Sequence, residues 1–524
     1  MGDLVILARD HLYGQHLTKA GLDTTLMVAD SPVNVDWDFA AGQLNVVAEK
    51  DTRLRLKLAN VAAVSVDGKT EKLVTGEDGF THLSLAAGRH VIENAKPSEP
   101  VLNQMGERLA ALLKDAKAQR ERLTAAPVVP TTLNASPLTT AWTANVGGGI
   151  VDLVAMSEPR PSGSGIIFAA EGKTVHVLTP DGKEIRKLQT DGNVRCLRWW
   201  QEHNLLLVGC ADEKVIAFDS GGNRKWVFVS EMDPAVFRAA KDYWFKTAPG
   251  HEGIHGLHTG VFLDGKSQAF VGSACTLEIL DENGKLVKRL PVFWGPGMKF
   301  NLVDAPDGSI NLLIARWHND GHALAIINNR TLDPTSRGFA GVPSGHSNIG
   351  GWDCMNRKHI FYEDVDGDGK KEVVSEINGF WNRVTVWTAD GTPLYNAQFG
   401  PGQNTAPGAN VRDLDIADLD GDGRKEILTA TFNGLVVALS HRCEKIWAKR
   451  LPSPPSVLKV AQSQIFVGCE DGTVVVLNGK GEVICTGKVS GRPTHVEAMS
   501  TDSGTLMLLG TDKGELKAMT ADRR

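Results

Sequence analysis

Two nine-residue stretches carry the side chains best suited to chemistry, Asp364-Val-Asp-Gly-Asp-Gly-Lys-Lys-Glu372 and Asp418-Leu-Asp-Gly-Asp-Gly-Arg-Lys-Glu426. Each has three carboxylates at alternate positions, a glycine that permits a sharp turn, and a glutamate four residues beyond the third aspartate. Such a set wraps one hard cation in oxygen ligands, and the expected ion is Ca2+, one per turn, in a structural role. The expected metal-site positions are Asp364, Asp366, Asp368, Lys370 and Glu372, and Asp418, Asp420, Asp422, Arg424 and Glu426. The spacing is not that of an EF-hand, whose glutamate comes later and whose flanks are helical. Here Phe361-Tyr362 and Val373-Val374 flank the first turn with strand formers, which makes these metal-clipped strand turns. Solvated acidic hairpins without metal are the alternative, and two copies this similar argue against it.

A second set of candidates comes from the middle of the chain. Seven of the fifteen histidines fall between His251 and His359, among Tyr243, Trp244, Arg316, Trp317, Trp352, Trp381 and Arg383. Singly, each histidine is more readily a satisfied structural residue; their collection in a few connecting segments makes them candidates. One chemistry that fits is β-elimination on a uronate. Arg316 or Arg383 would neutralise the sugar carboxylate and acidify the adjacent proton, His255, His318 or Tyr243 would remove it, and Trp317 or Trp381 would stack on the ring. His251, His258 and His346 would complete the binding surface. Zn2+ is a second option, because neutral imidazoles bind it and His251, His255 and His258 could be joined by His346 or Cys354. A glycosidase would need paired carboxylates, and Glu252, Asp320 and Asp353 show no pairing in sequence. No phosphate-binding Gly-rich loop and no Gly-x-Ser-x-Gly elbow occurs.

The elements that must position these residues follow from composition and periodicity. The 524 residues suffice for two or more domains with a large core. A net charge of −6, with 56 Lys and Arg against 62 Asp and Glu, leaves no basic footprint for nucleic acid. No apolar run reaches the length of a membrane span, and Leu4-Val-Ile-Leu-Ala8 is too short for a secretory h-region. The seven cysteines lack Cys-x-x-Cys spacing, so neither a disulfide framework nor a zinc finger is suggested.

Residues 1–95 predict a small β-sandwich, with strands at Thr24–Ala29, Val33–Phe39, Leu44–Ala48, Leu54–Leu58, Ala63–Val66, Lys72–Val74 and His82–Leu85. Residues 96–137 predict one amphipathic helix, about Pro100 to Leu123, and a Pro- and Thr-containing linker. Leu102, Met105, Leu109, Leu112, Leu113, Ala116 and Leu123 form its apolar stripe, expected to pack on a neighbouring domain.

From 138 to 524 an internal repeat takes over, an apolar run followed by a turn and a second run. Copies start at Val175, Val215, Leu277, Val384, Val436 and Val474, with weaker ones at Leu324 and Leu516. Their spacing predicts one four-stranded blade per copy and hence an all-β propeller of eight blades, or seven if the copy at Leu324 is an elaborated loop. The last copy stops where its outer strand should begin, while Ala141-Trp142-Thr143-Ala144 looks like an outer strand ahead of the first copy. Thr139–Asn145 is therefore expected to close the ring as the outer strand of the eighth blade. In this topology the acidic turns lie on the face opposite the histidine-bearing connections.

The Asp-x-Asp-Gly-Asp-Gly-x-x-Glu turns resemble those of integrin-like FG-GAP/VCBS repeats, and Val215–Trp226 is similar to a quinoprotein-type propeller repeat. The resemblance spans roughly residues 138–524 and implies a propeller with calcium at the two acidic turns. Propeller polysaccharide lyases of the rhamnogalacturonan and ulvan types are similar more loosely, without a matching catalytic motif. The expectation is a propeller that binds an acidic polysaccharide or other glycan and cleaves it as a polysaccharide lyase. The alternative is a non-catalytic glycan- or protein-binding module, or one part of a larger secreted enzyme. A quinone dehydrogenase ranks last. Calcium use points to an extracellular or periplasmic setting; neither nucleic acid nor membrane insertion is expected.

Overall fold

The computed structural model describes residues 4–8, 10–22, 24–59, 62–73, 75–124, 133, 135–156, 165–236, 253–273, 275–292, 297–316, 324–340, 354–355, 359–379, 382–399, 411–501 and 504–520. The chain forms two compact units, divided between Ala118 and Gln119.

The first unit is a nine-stranded antiparallel sheet wrapped around one core. Its organising strand, Thr25–Asp38, joins the two short strands expected at 24–29 and 33–39 into one. Either side of Ser31-Pro32 it changes partner, pairing with Thr52–Leu56 through Met27–Ala29 and with Gln43–Ala48 through Val33–Asp38. The sheet thereby turns over itself, enclosing Leu26, Trp37, Leu44 and Leu54. The Trp37 indole N–H donates to the Ala95 carbonyl at 2.7 Å, satisfying a fully buried donor. Strand His11–Gly21 was not expected from sequence, because Gly14 and His16 break its alternation and are absorbed as an irregularity between Gly14 and Leu17. The helix runs Glu99–Thr124; Met105 is buried, and Val101, Leu102 and Leu109 pack against the sheet core, while Leu113 is exposed. No helix among the described residues is long and apolar enough to cross a membrane.

The second unit is an eight-bladed β-propeller. Its innermost strands are Ile150–Met156, Val194–Trp200, Gly256–Val261, Gly297–Asp304, Phe361–Glu363, Val411–Ala417, Pro455–Ala461 and Pro493–Thr501, which number blades 1 to 8. All eight repeat copies are third strands. The weak copy at Leu324 is one of them, pairing with Ile310–Arg316 and with a short outer strand, Arg337–Gly338, so eight blades hold and seven do not. Second and third strands are buried on both faces, as in Leu205–Cys210, which is why they read as continuous apolar runs. Thr139–Asn145 pairs antiparallel with Glu515–Thr520 and closes blade 8.

Neighbouring blades are joined by two recurrent devices. On the inner strands, aspartates reach across: Asp152 Oδ2 accepts from Leu197 N at 2.6 Å, Asp413 Oδ2 from Leu458 N at 2.7 Å and Asp415 Oδ2 from Val460 N at 2.8 Å. On the outer strands, the Trp142, Trp226 and Trp447 indoles donate to the carbonyls of Pro180, Glu282 and Gly479 in the next blade. Each ring lies against a turn glycine; a Cβ on Gly284, whose φ is +75°, would stand 2.4 Å from the Trp226 ring. Gly284→Ala is thus both strained and overpacked, and we expect it to lower stability by about 1–3 kcal/mol in urea unfolding, with Trp226→Ala relieving the clash but not the strain.

Candidate functional site

The two acidic turns join first to second strands, Phe361–Glu363 to Glu372–Gly379 in blade 5 and Val411–Ala417 to Glu426–Thr431 in blade 6. Their internal bonding is the same. Asp364 Oδ1 and Oδ2 accept from Gly367 N (2.7 Å) and Gly369 N (2.9 Å), and Asp418 from Gly421 N (2.6 Å) and Gly423 N (3.0 Å). Asp368 and Asp422 accept from Lys370 N and Arg424 N, which places these last two residues as backbone positions of the turn. The buried glutamates accept from the strand ends, Glu372 from Val365 N at 3.0 Å and Glu426 from Leu419 N at 2.9 Å. One ligand oxygen each from Asp364, Asp366 and Glu372 lies within 4.8 Å of the others, and likewise for Asp418, Asp420 and Glu426. Burial, followed by the charges of the neighbouring aspartates, raises the pKa of both glutamates. A divalent cation is what an all-carboxylate set under mutual repulsion accommodates. The turns also touch each other. Lys425 N donates to Val365 O at 2.9 Å, and the Lys425 ammonium pairs with Glu363.

Consecutive inner strands surround a central channel that collects charged side chains. At the end opposite the acidic turns, a cavity of about 570 Å³ is lined by Arg195, His255, Lys299, His359, Asp413 and His495 among others. Arg195 Nη1 lies 3.0 Å from His255 Nε2. His359 is held between Glu376 Oε1 (3.2 Å from Nδ1) and Asp413 Oδ1 (3.0 Å from Nε2). Burial opposes its protonation, but the Glu376 charge and the bonds to both carboxylates prevail and raise its pKa to about 9. Burial raises the Glu497 pKa to about 7, against the nearby Lys459 cation.

The other candidates scatter. His258 stacks on Phe270 with ring centroids 6.2 Å apart, and burial together with the Arg198 and Lys299 charges lowers its pKa to about 3, leaving a neutral imidazole. Arg383 opens the third strand of blade 5 and is only 2% exposed, enclosed in the blade. Arg316 ends the second strand of blade 4. Tyr243, His251, Trp317, His318, His346 and Trp381 lie outside the described residues, as do Glu252, Asp320 and Asp353. Among the described residues, only the acidic turns bring three His, Cys, Asp or Glu ligand atoms within 4.8 Å, so His255 and His258 belong to no such set and the zinc option has no support. Sequence reasoning missed Asp152, Arg195, Arg198, Lys299, Lys459, His495 and Glu497. Their signal is a charged residue inside a first strand.

The FG-GAP-like repeat family model matches residues 364–429, the segment holding both acidic turns. No curated protein sequence matches the chain. Among solved structures, Sqt1 of Saccharomyces cerevisiae aligns with a TM-score of 0.55 at 10% identity, over 74% of this chain and 100% of that one. BamB from Moraxella catarrhalis aligns at 14% identity and a TM-score of 0.49, over 73% of this chain and 100% of its own. The likeness to Sqt1 concerns the fold. Fold and matched segment together define a β-propeller module with FG-GAP-like repeats.

Proposed function

We propose that this is a calcium-stabilised propeller that presents a ligand-binding face for acidic glycans at the channel end away from the acidic turns. The observation that carries the calcium role is the pair of identically bonded turns, each directing three carboxylates to one point. Asp364, Asp366 and Glu372 would hold one ion and Asp418, Asp420 and Glu426 the other, with Asp368 and Asp422 adding charge; hard oxygen donors without nitrogen or sulfur suit Ca2+. The ion would neutralise carboxylates that otherwise repel, and its place on the opposite face makes its role structural. An extracellular or periplasmic setting would supply it.

One contact favours cleavage over binding alone. Arg195 beside His255 sets a cation that would hold a uronate carboxylate next to an imidazole that could take the adjacent proton. The test is to incubate the protein with a panel of acidic polysaccharides and follow the ultraviolet absorbance of unsaturated uronate products, with Arg195→Gln and His255→Ala alongside. Product formed by the wild type and lost in both variants supports a lyase with Arg195 in place of Arg316 or Arg383. Saturable binding without product, weakened by Arg195→Gln, supports the non-catalytic module. Neither binding nor product across the panel removes the glycan assignment.

A further inference from the structure

Toward the other end of the channel lies a second cavity, of about 740 Å³, and its Arg198 has no use in the reading above. Blade 2 contributes Arg198, blade 3 Thr259 and blade 4 Lys299. Arg198 Nε donates to Thr259 Oγ1 at 3.3 Å, which fixes the plane of the guanidinium. Among the described residues, neither Arg198 nor Lys299 has a carboxylate within ion-pair distance. Burial lowers the Arg198 pKa, and the Glu202 charge only partly offsets it. A desolvated guanidinium without a counter-ion is costly, and arginine is the side chain whose fork matches two oxygens of a carboxylate or phosphate. The field of both cations is felt at His258, the neutral imidazole behind them. Three carboxylates also line this cavity: Asp152 is engaged by Leu153 N and Leu197 N, Glu497 is on blade 8, and Glu202 is exposed, its charge felt at Arg198 without an ion-pair contact.

We infer that this cavity binds a small organic anion, a carboxylate or a phosphate ester, seated on the Arg198 and Lys299 cations with Thr259 holding the guanidinium in place. The volume suits a molecule of one or two sugar-sized rings. The site adjoins the glycan cavity, sharing Asp152, Leu197, Lys299 and Glu497 with its wall, but Arg198 belongs to this cavity and Arg195 to the other.

Trp199 lines the cavity and supplies the readout. The full chain is titrated with glucuronate, with glucose phosphate and with inorganic phosphate, following indole fluorescence and heat, and glucose serves as the neutral control. Saturable binding of an anion, absent for glucose and weakened at least about tenfold in Arg198→Gln and Lys299→Gln, is the expected result. Binding of glucuronate alone assigns a carboxylate ligand; binding of glucose phosphate but not inorganic phosphate assigns a phosphate ester. Lys299 is exposed but lines both cavities, so Lys299→Gln carries the test if Arg198→Gln does not fold only alongside Arg195→Gln, which alters the glycan cavity alone and must leave this binding unchanged. No saturable binding of any anion, or equal affinity in Lys299→Gln, overturns the inference.

Discussion

Replacing His359 by alanine is expected to lower the unfolding free energy by about 3–5 kcal/mol, the usual cost of breaking a buried ion pair from one side. The ring is 19% exposed and bridges a fully buried carboxylate on the second strand of blade 5 to one on the inner strand of blade 6. Without it, Glu376 and Asp413 face each other with no cation between them. The bridge should also make stability depend on pH in a defined direction. Because the folded pKa is raised from 6.5 to about 9, the contribution is fully present below the unfolded value and is lost as pH rises through about 9. Urea unfolding of wild type and His359→Gln at about pH 6 and about pH 10 checks this: the gap between them should narrow at the higher pH. A gap that is the same at both would mean that the imidazole acts by packing and not by charge.

Chelation of calcium is expected to lower the melting temperature substantially without changing the β content. If each acidic turn is held at 100 times its Kd, binding to the folded state alone adds about 2.7 kcal/mol per site, so two sites add roughly 5 kcal/mol. The double variant Glu372→Gln/Glu426→Gln separates metal from repulsion. Glutamine keeps an acceptor for Val365 N and Leu419 N but removes the buried charge that the neighbouring aspartates oppose. The two melting curves should therefore cross: less stable than wild type in calcium, at least as stable in chelator. Wild type that melts identically in both media would leave the turns as acidic hairpins closed by their own hydrogen bonds.

The parts of this molecule that sequence discloses are those whose residues answer to a local rule. Third strands are sandwiched between neighbours on both sides and are apolar at most positions, so Val474-Val-Val-Leu477 and its counterparts stand out in the chain. The acidic turns are equally local, each complete within nine residues. The channel obeys no such rule. Asp152, Arg198 and Lys299 are charged residues within strands of different blades, and only the ring arrangement decides that they meet. Asp413 and Asp415 serve the architecture, as clips onto Leu458 and Val460. The histidine connections gave the opposite lesson. His255 reaches the cavity beside Arg195, but His258, three residues on, is turned into the blade by the same strand.

The strand shared by Thr139–Asn145 and Glu515–Thr520 has a consequence for how the propeller is made. The four strands of each of blades 1 to 7 are local in sequence and can pair as they leave the ribosome, with Ser136–Pro137 later adding in parallel to the outer strand of blade 7, whereas blade 8 waits for its third strand. At ordinary synthesis rates that interval is roughly tens of seconds, during which the Thr139–Asn145 segment has no partner and the edges of blades 1 and 7 are open. The nascent chain is then most exposed to pairing with another copy, and the same late contact, once formed, is what ties the first strand of the ring to its last.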